Sequence, residues 1–290
     1  MEYWSQRLHK PIEDIYSVDW PSLASAISSL PPAQQRRASK HASGHFGCGS
    51  KLLQWQHQDH DECPFCNQVE NPHHVLTCPH PQPQQTWQTT IQKLQDKLTT
   101  METDPALNTA IIQSLNNWNH HTAPPEHPPE HPVSQQTRIG WYPMIHGQIS
   151  TAWQEAQATY FASISSKKSP KRWTIQLIKQ LLNIAWDMWS HRNGFKHGPN
   201  GPDQQHLRKE LQERIEYEYS IGQHNLLPHD RHWLQQPIAA ILNYNTSTQQ
   251  QWIQSVNNAR ERHHAQPTED PSLNQQRELL RNWLQQPHQT

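Results

Sequence analysis

The sequence has few glycines, few hydrophobic residues, no excess charge of either sign and no long apolar run. Only 33% of its 290 residues are hydrophobic and the mean hydropathy is -0.99, which indicates a modest core joined by polar connectors. No apolar stretch approaches the ~20 residues that a membrane span requires, and the polar N-terminus lacks the pattern of a signal peptide. We therefore expect no membrane partner and an intracellular location, in the nucleus or the cytoplasm.

The balance of charge restricts how this chain could bind nucleic acid. With 24 Lys+Arg and 25 Asp+Glu, its formal net charge is -1 at pH 7, which excludes a globally basic binder. Contact with RNA or DNA would then depend on two local basic patches. The first comprises Arg36, Arg37 and Lys40, and the second comprises Lys167, Lys168, Lys171 and Arg172. The second lies beside Trp173 ahead of a predicted helix start, so it predicts phosphate contact with stacking; the alternative is a solvated loop.

The hydrophobic pattern has the period of helices and almost nothing of strands. Trp87, Ile91, Leu94 and Leu98 recur at helical spacing, and a wide apolar stripe runs through residues 169–196. Residues 138–165 also have a helical pattern, whereas no alternation of β-branched residues bounded by turns is found. The sequence predicts a mainly α fold, with helical bundle-like segments, a small zinc knuckle and Pro-rich linkers.

Composition also suggests a division of the chain. We expect an irregular arm at 1–18 and a helical domain at 19–122 that contains the knuckle at about 60–80. The polyproline-like stretch at 123–135 is predicted to be a linker and a domain boundary. A second helical domain is expected at 136–264, with a Trp-x2-Trp-x2-Arg-Asn element, followed by a polar tail at 265–290.

Three of the 4 Cys fall within one short motif of the form C-x2-C-x7-H-x3-C. Cys63 and Cys66 are separated by two residues, so both sulfurs can reach one metal from a tight turn. His74 and Cys78 are four apart, so one helical turn presents both to the same ion. The motif predicts a structural Zn²⁺ held by these four residues, with His73 as the competing histidine. The alternative is a set of buried, unpaired thiols.

Patterns that would indicate catalysis are missing. The sequence contains no adjacent Asp-Asp pair, no strands that could carry the carboxylates of an RNase H and no phosphate-cradling glycine loop. A nuclease using Asp203 with Glu210 or Glu213 is one alternative. It lacks an acidic-x-Lys partner, and Asp203 is better explained as the N-cap of a helix. We therefore expect no catalytic residues in this chain.

Several motifs taken together resemble a known family. The segment Cys63-x2-Cys66, Glu70, His74-Val-Leu-x-Cys78-Pro resembles the zinc-binding region downstream of the reverse transcriptase in non-LTR retroelement reading frames. The element Trp186-Asp-Met-Trp189-x-His191-Arg192-Asn193 is similar to segments of the same frames. Asn71 departs from the family's usual Thr or Ser, and this chain contains no polymerase.

This resemblance implies a function without catalysis. It implies a helical, zinc-stapled accessory region that helps a reverse transcriptase engage template RNA or target DNA, in a parent polyprotein that is an RNA-directed DNA polymerase. The second hypothesis is a zinc-stapled protein-interaction module that does not bind nucleic acid. The near-neutral net charge favours the second hypothesis, and the two basic patches favour the first.

Overall fold

The computed structural model describes residues 1–265 and 271–284 and forms two compact units, Met1–Gly198 and Pro199–Thr290. The described residues are largely helical. In them, β pairing is limited to two isolated antiparallel bridges, one between Val18 and Ser150 and one between Glu62 and Val69. The predicted mainly α fold is confirmed.

The first unit contains twelve helices in the described chain. They are α1 (Glu2–Leu8), α2 (Ile12–Tyr16), α3 (Trp20–Ser28), α4 (Pro32–Ala42), α5 (Gly49–Gln54), α6 (His74–Thr77), α7 (Pro81–Thr100), α8 (Pro105–Asn119), α9 (Pro132–Ile139), α10 (Trp141–Ile145), α11 (Thr151–Ser163) and α12 (Pro170–His197).

Helix α12 is the centre of this unit. Its apolar stripe, which includes the fully buried Leu177, Ile178 and Leu181, contributes to a core shared with α3, α7, α10 and α11. Trp87 on α7 and Trp153 on α11 are also fully buried. Because each such side chain contributes about 1.5–3 kcal/mol when removed from water, a few large residues stabilise a chain of low overall hydropathy.

Side-chain caps determine where several helices begin. Asp19, Asp104 and Ser169 each accept a hydrogen bond from a backbone amide in the first turn that follows, and a proline stands early in each helix. A cap of this type contributes typically about 1 kcal/mol, and proline costs nothing where no intrahelical amide bond is needed.

The second unit is smaller. It contains α13 (Pro202–Ile221), a 3₁₀ helix (Arg231–Leu234), α14 (Ile238–Leu242), α15 (Thr246–Ala265) and α16 (Pro271–Leu284). Its core is formed by Ile215, Ile241, Trp252 and Val256. Glu218 is buried beside this core and pairs with Arg260 at 2.6 Å.

The prediction of an irregular arm at 1–18 is wrong, because α1 and α2 occupy most of it. His9 ends α1 in the left-handed conformation, and Pro11 separates the two helices. The helices are supported by tertiary contacts that local periodicity does not contain. Trp4 packs on Trp20 with ring centroids 5.9 Å apart, and Ile15 is fully buried.

The two compact units also divide at a different place from the one predicted. The Pro-rich segment 123–135 lies inside the first unit, where residues 120–131 connect α8 to α9. Helices α8 and α9 contact each other, and both contact α11. A polyproline-like connector is therefore compatible with tightly packed flanks, and the division falls after Gly198 instead.

The structure differs in part from two further predictions, the helical pattern at 138–165 and the polar tail at 265–290. The helical pattern at 138–165 is interrupted at Gly140, with φ 112°, and at Gly147, with φ 84°. A Cβ at Gly147 would lie 2.7 Å from a methyl carbon of Leu23, so glycine is required there for both backbone and space. The predicted polar tail at 265–290 contains α16, while 266–270 and 285–290 lie outside the described residues. None of the described helices combines the length and hydropathy that a membrane crossing requires.

Candidate metal centre

The turn at the start of the zinc motif is defined by its own backbone hydrogen bonds. Glu62 and Val69 pair across it, and the Cys63 amide donates to the Gln68 carbonyl at 2.7 Å. Asn67 has a left-handed φ of 60°, and its amide donates to the Cys63 carbonyl at 3.0 Å. Asparagine tolerates this conformation better than most residues, so the residue types of the loop suit the turn it makes.

The second half of the motif is the short helix α6. His74 begins this helix, and Cys78 follows its last residue. The backbone amide of His74 donates to Asn71 Oδ1 at 2.8 Å. Asn71 therefore supplies the oxygen that a Ser or Thr hydroxyl would supply at this position. The buried Val75 and Leu76 anchor α6 to the rest of the unit.

The four predicted ligands come together in one cluster. The sulfur atoms of Cys63, Cys66 and Cys78 and one ring nitrogen of His74 all lie within 4.8 Å of one another. Cys78 Sγ lies 3.8 Å from Cys63 Sγ and 3.7 Å from Cys66 Sγ. Cys66 Sγ lies 3.2 Å from His74 Nε2. The four residues of this short motif thus present their donor atoms to one point.

The two sulfur–sulfur separations match what a tetrahedral zinc ion requires. Two thiolates bound at about 2.3 Å with a tetrahedral angle are about 3.8 Å apart, which agrees with the 3.7 and 3.8 Å between these sulfur atoms. A donor set of three Cys and one His is typical of structural zinc. The cluster can therefore hold a metal ion through four protein ligands, an arrangement that leaves no position for a substrate.

The thiols of the cluster contact one another closely enough to hydrogen-bond. The hydrogen bond that Cys63 receives from Cys78 lowers the pKa of Cys63, and the same bond raises the pKa of Cys78. Burial raises the pKa of Cys66. Because the thiolate is the form that binds metal, occupation of this site must release protons, and its affinity must fall in acid.

His73, the competing histidine, packs against the helical body instead. Its ring lies edge-on to Trp118, with centroids 5.1 Å apart, and stacks on Tyr142 at 5.6 Å. Its Nδ1 lies 3.3 Å from Thr77 Oγ1. The cluster contains His74 and not His73, so the predicted order of the two histidines agrees with the geometry.

A buried ion pair connects the zinc loop to α12. Arg192 donates through Nε to Glu70 Oε1 at 2.9 Å and through Nη2 to Glu70 Oε2 at 2.5 Å. The exposed fractions of the two side chains are 3% and 1%. Glu70 Oε2 also accepts from the Gly49 amide at 2.6 Å. A Cβ on Gly49 would lie 2.4 Å from the Asp61 carbonyl oxygen, so glycine permits this close packing.

Aromatic rings form a second connection between the knuckle and α12. Phe65, which lies between the first two Cys, stacks on His191 with parallel planes and centroids 5.3 Å apart. It also stacks on Phe195 at 4.3 Å and lies 5.6 Å from His80. All four rings are half-buried. The knuckle therefore positions aromatic side chains on the surface of α12.

The first predicted basic patch lies on α4. Arg36, Arg37 and Lys40 are all exposed, and Arg36 and Lys40 are one helical turn apart. Arg37 lies over the ring of Trp186 on α12, with its guanidinium carbon 3.8 Å from the ring centroid. A cation–π contact of this kind contributes about 0.5–1 kcal/mol at an exposed site. Arg37 therefore also has a packing role.

The second predicted patch is divided by the structure. Lys167, Lys168 and Arg172 line a cavity of about 530 Å³, and Lys97 from α7 joins them. Lys171 is exposed but does not line this cavity. Lys168 pairs with Glu102 at 3.1 Å. Sequence reasoning missed Lys97, since nothing in the local pattern relates it to residues seventy positions later.

The residues of the nuclease hypothesis make other contacts. The N-cap of α13 is Gly201, so the prediction of Asp203 as N-cap is wrong. Asp203 lies in the first turn, where its negative charge interacts favourably with the helix dipole. Glu210 pairs with His206 at 3.1 Å, and Glu213 pairs with Lys209 at 3.8 Å. Among the described residues, the cluster of Cys63, Cys66, His74 and Cys78 is the one group of three or more His, Cys, Asp or Glu side chains that could hold a metal ion.

Sequence reasoning also missed the partnership of Glu70 and Arg192. Both side chains are buried and paired with each other, although they are far apart in the sequence. The available signal was that both residues belong to the motifs that carry the family resemblance. No protein-family model, curated protein or solved structure matches the chain.

Proposed function

We propose that this chain is a non-catalytic, zinc-stapled accessory region that contacts single-stranded nucleic acid. The observation that carries the proposal is the closed cluster of Cys63, Cys66, His74 and Cys78, tied to α12 by a buried ion pair. A metal with four protein ligands stabilises structure and leaves no open position for chemistry. When bound, zinc would replace the thiol hydrogen bonds of the cluster and hold the loop to α6.

The nucleic-acid part of the proposal rests on where the exposed cations lie. The chain has a net charge of -1, yet three cationic side chains lie on α4 and four surround one cavity. Local patches of this type contact phosphates without giving sequence specificity. We expect modest affinity that falls quickly with salt, because each phosphate contact releases counterions.

The biological context that we propose follows from the motif resemblance. The chain would act beside a reverse transcriptase of a non-LTR retroelement and help it engage RNA or DNA. Co-expression with the polymerase domain of such an element would test this: the chain should co-purify with that domain. Co-purification that persists after nuclease treatment would support direct contact, and its absence would count against a polymerase partner.

The experiment for the metal is elemental analysis of the purified protein. We expect one zinc per chain, and we expect Cys78→Ser to lose it. Cys48→Ser is the matched control, since Cys48 is buried but is not part of the cluster. A protein without zinc, or a Cys78→Ser variant with full zinc, would contradict the assignment.

The experiment for nucleic acid is a salt titration with single-stranded RNA. We expect log affinity to fall linearly with log salt concentration. Asp203→Ala should leave both the affinity and the slope against salt concentration unchanged. If the chain were a nuclease that uses Asp203, this variant would instead reduce cleavage of the strand. If the zinc-loaded protein does not bind RNA or DNA at about 50 mM salt, the interaction-module hypothesis, which the balanced charge favours, replaces this one.

A further inference from the structure

The packed pair α7 and α12 has an open cleft at one end and the basic cavity at the other. The cleft, of about 760 Å³, lies between the start of α7 and the end of α12. The cavity, of about 530 Å³, lies between the end of α7 and the start of α12. The lining residues show that the two helices are antiparallel, so both features lie along the same helix pair.

The cleft has an aromatic wall and an amide-rich wall. His191 and Phe195 of α12 line one side, and Phe65 of the zinc loop stacks on both of them. Gln82, Gln85 and Thr86 of α7 line the other side. Rings of this kind stack on nucleobases, and side-chain amides form hydrogen bonds to base edges.

Charge distinguishes the two ends of the helix pair. In the cleft, Lys93 faces Asp187, and the two side chains pair at 3.6 Å, so this end offers little net charge. The basic cavity is lined by four cationic side chains, Lys97, Lys167, Lys168 and Arg172. Within the described residues, only Lys168 of these four pairs with a carboxylate. One end is therefore suited to bases and the other to phosphates.

We propose that a single-stranded nucleic acid lies along α7 and α12, with bases stacked at His191 and Phe195 and phosphates held by Lys97, Lys167 and Arg172. This inference rests on the proposed function and names the site for it. From Gln85 to Lys97 the helix rises about 18 Å, a length that roughly four or more nucleotides can cover. A duplex does not fit the proposal, because its bases are not free to stack on side chains.

The site also explains why a structural metal would influence binding. Phe65 belongs to the zinc loop, and it contacts both rings of the aromatic wall. Loss of the metal would release Phe65 and with it the support of His191 and Phe195. The metal would act on binding through the position of these rings and not through contact with the strand.

The test uses the full zinc-loaded chain and fluorescent oligothymidylate of about twelve nucleotides, beside an abasic strand of the same length. Lys97→Ala, Lys167→Ala and Arg172→Ala together should lower affinity at least about tenfold and reduce the magnitude of the salt slope by about 2, since each single-strand phosphate contributes about 0.7. The control triple variant, Lys209→Ala, Arg231→Ala and Arg277→Ala, removes equal charge from exposed positions of the other unit. It should leave both quantities close to those of the parent.

A second pair of variants tests stacking. Phe195→Leu should weaken oligothymidylate binding by about 5- to 150-fold, the range expected for one stacked base, without changing the salt slope. Phe195→Tyr should restore the affinity, which a loss of folding would not allow. The parent should prefer oligothymidylate over the abasic strand, and Phe195→Leu should remove most of that preference.

The outcomes separate this inference from the proposed function. If the parent binds but the cation triple variant and Phe195→Leu both bind within about twofold of it, the strand lies elsewhere and the inference is wrong while the function stands. Equal affinity for the abasic strand, with displacement by polyglutamate, would overturn the stacking site in favour of an acidic peptide. Failure of the parent to bind any strand overturns the proposed function itself.

Discussion

The ion pair between Glu70 and Arg192 provides the sharpest test of how the knuckle is joined to the helical body. In Arg192→Met the side-chain volume is largely kept, but Glu70 remains buried without its guanidinium partner. The exposed fractions of the two side chains are 1% and 3%, so water cannot replace the lost contact. Breaking a buried pair in this way costs about 3–5 kcal/mol. The two hydrogen bonds to Arg192 are lost, and the bond from the Gly49 amide remains.

The measurement is urea unfolding together with amide hydrogen exchange resolved by peptide. We expect Arg192→Met to lower the free energy of unfolding of the first unit by about 3–5 kcal/mol. Exchange should rise in the zinc loop, in α5 and at the end of α12. The double variant Glu70→Gln with Arg192→Met should recover part of the loss, because it no longer buries an unpaired charge.

The second unit contains a matched control. Arg260 pairs there with Glu218, whose exposed fraction is 1%. Arg260→Met should therefore raise exchange in α13 and α15 and leave the zinc loop protected. Two results would contradict a role of this pair in holding the knuckle to α12. In the first, Arg192→Met lowers the free energy of unfolding by less than about 1 kcal/mol. In the second, the double variant loses as much as Glu70→Gln and Arg192→Met lose separately when added together.

The remaining predictions concern acid, backbone space and metal. Burial lowers the pKa of His41 to about 4 and that of His146 to about 3. Both rings stay neutral in the folded protein but protonate near pH 6.5 in the unfolded chain. Their contribution to the free energy of unfolding is therefore fully present above pH 6.5 and is lost as the pH drops towards 4. The His41 share at about pH 5 is about 2 kcal/mol, and His41→Phe should flatten the urea-derived pH profile by that amount; an unchanged profile contradicts the assignment. Gly49→Ala should lower the melting temperature, because its Cβ meets the Asp61 carbonyl oxygen at 2.4 Å, while Gly194→Ala, with nothing within 4 Å, should not. Chelation should raise amide exchange in residues 56–82 and leave α12 protected; equal protection of that loop with and without metal would refute the coupling.

Local chemistry explains which features could be predicted from the sequence. The cluster of Cys63, Cys66, His74 and Cys78 was predictable because the spacing of ligands within a turn and a helical turn is a local property. The start of α12 was predictable for the same reason, since Ser169 and Pro170 form a cap and a first turn. Helical periodicity likewise identified the stripes of α7 and α12, which the structure places in one core.

Features that depend on distant partners could not be predicted. Glu70 and Arg192 are 122 positions apart, and no local pattern shows that both are buried. The same holds for Lys97, which joins the second basic patch only because α7 ends beside the start of α12. The Pro-rich segment was misleading because its composition describes the connector and not the packing of α8 and α9 on either side.

The most direct test of the central claim is X-ray absorption at the zinc edge on the purified chain. We predict a four-coordinate zinc with three sulfur ligands at about 2.3 Å and one nitrogen ligand at about 2.0–2.1 Å, lost in Cys78→Ser and kept in Cys48→Ser. A site with a water oxygen in place of one protein ligand would indicate an open metal and contradict a purely structural role. A protein that binds no zinc would contradict the proposed metal site itself.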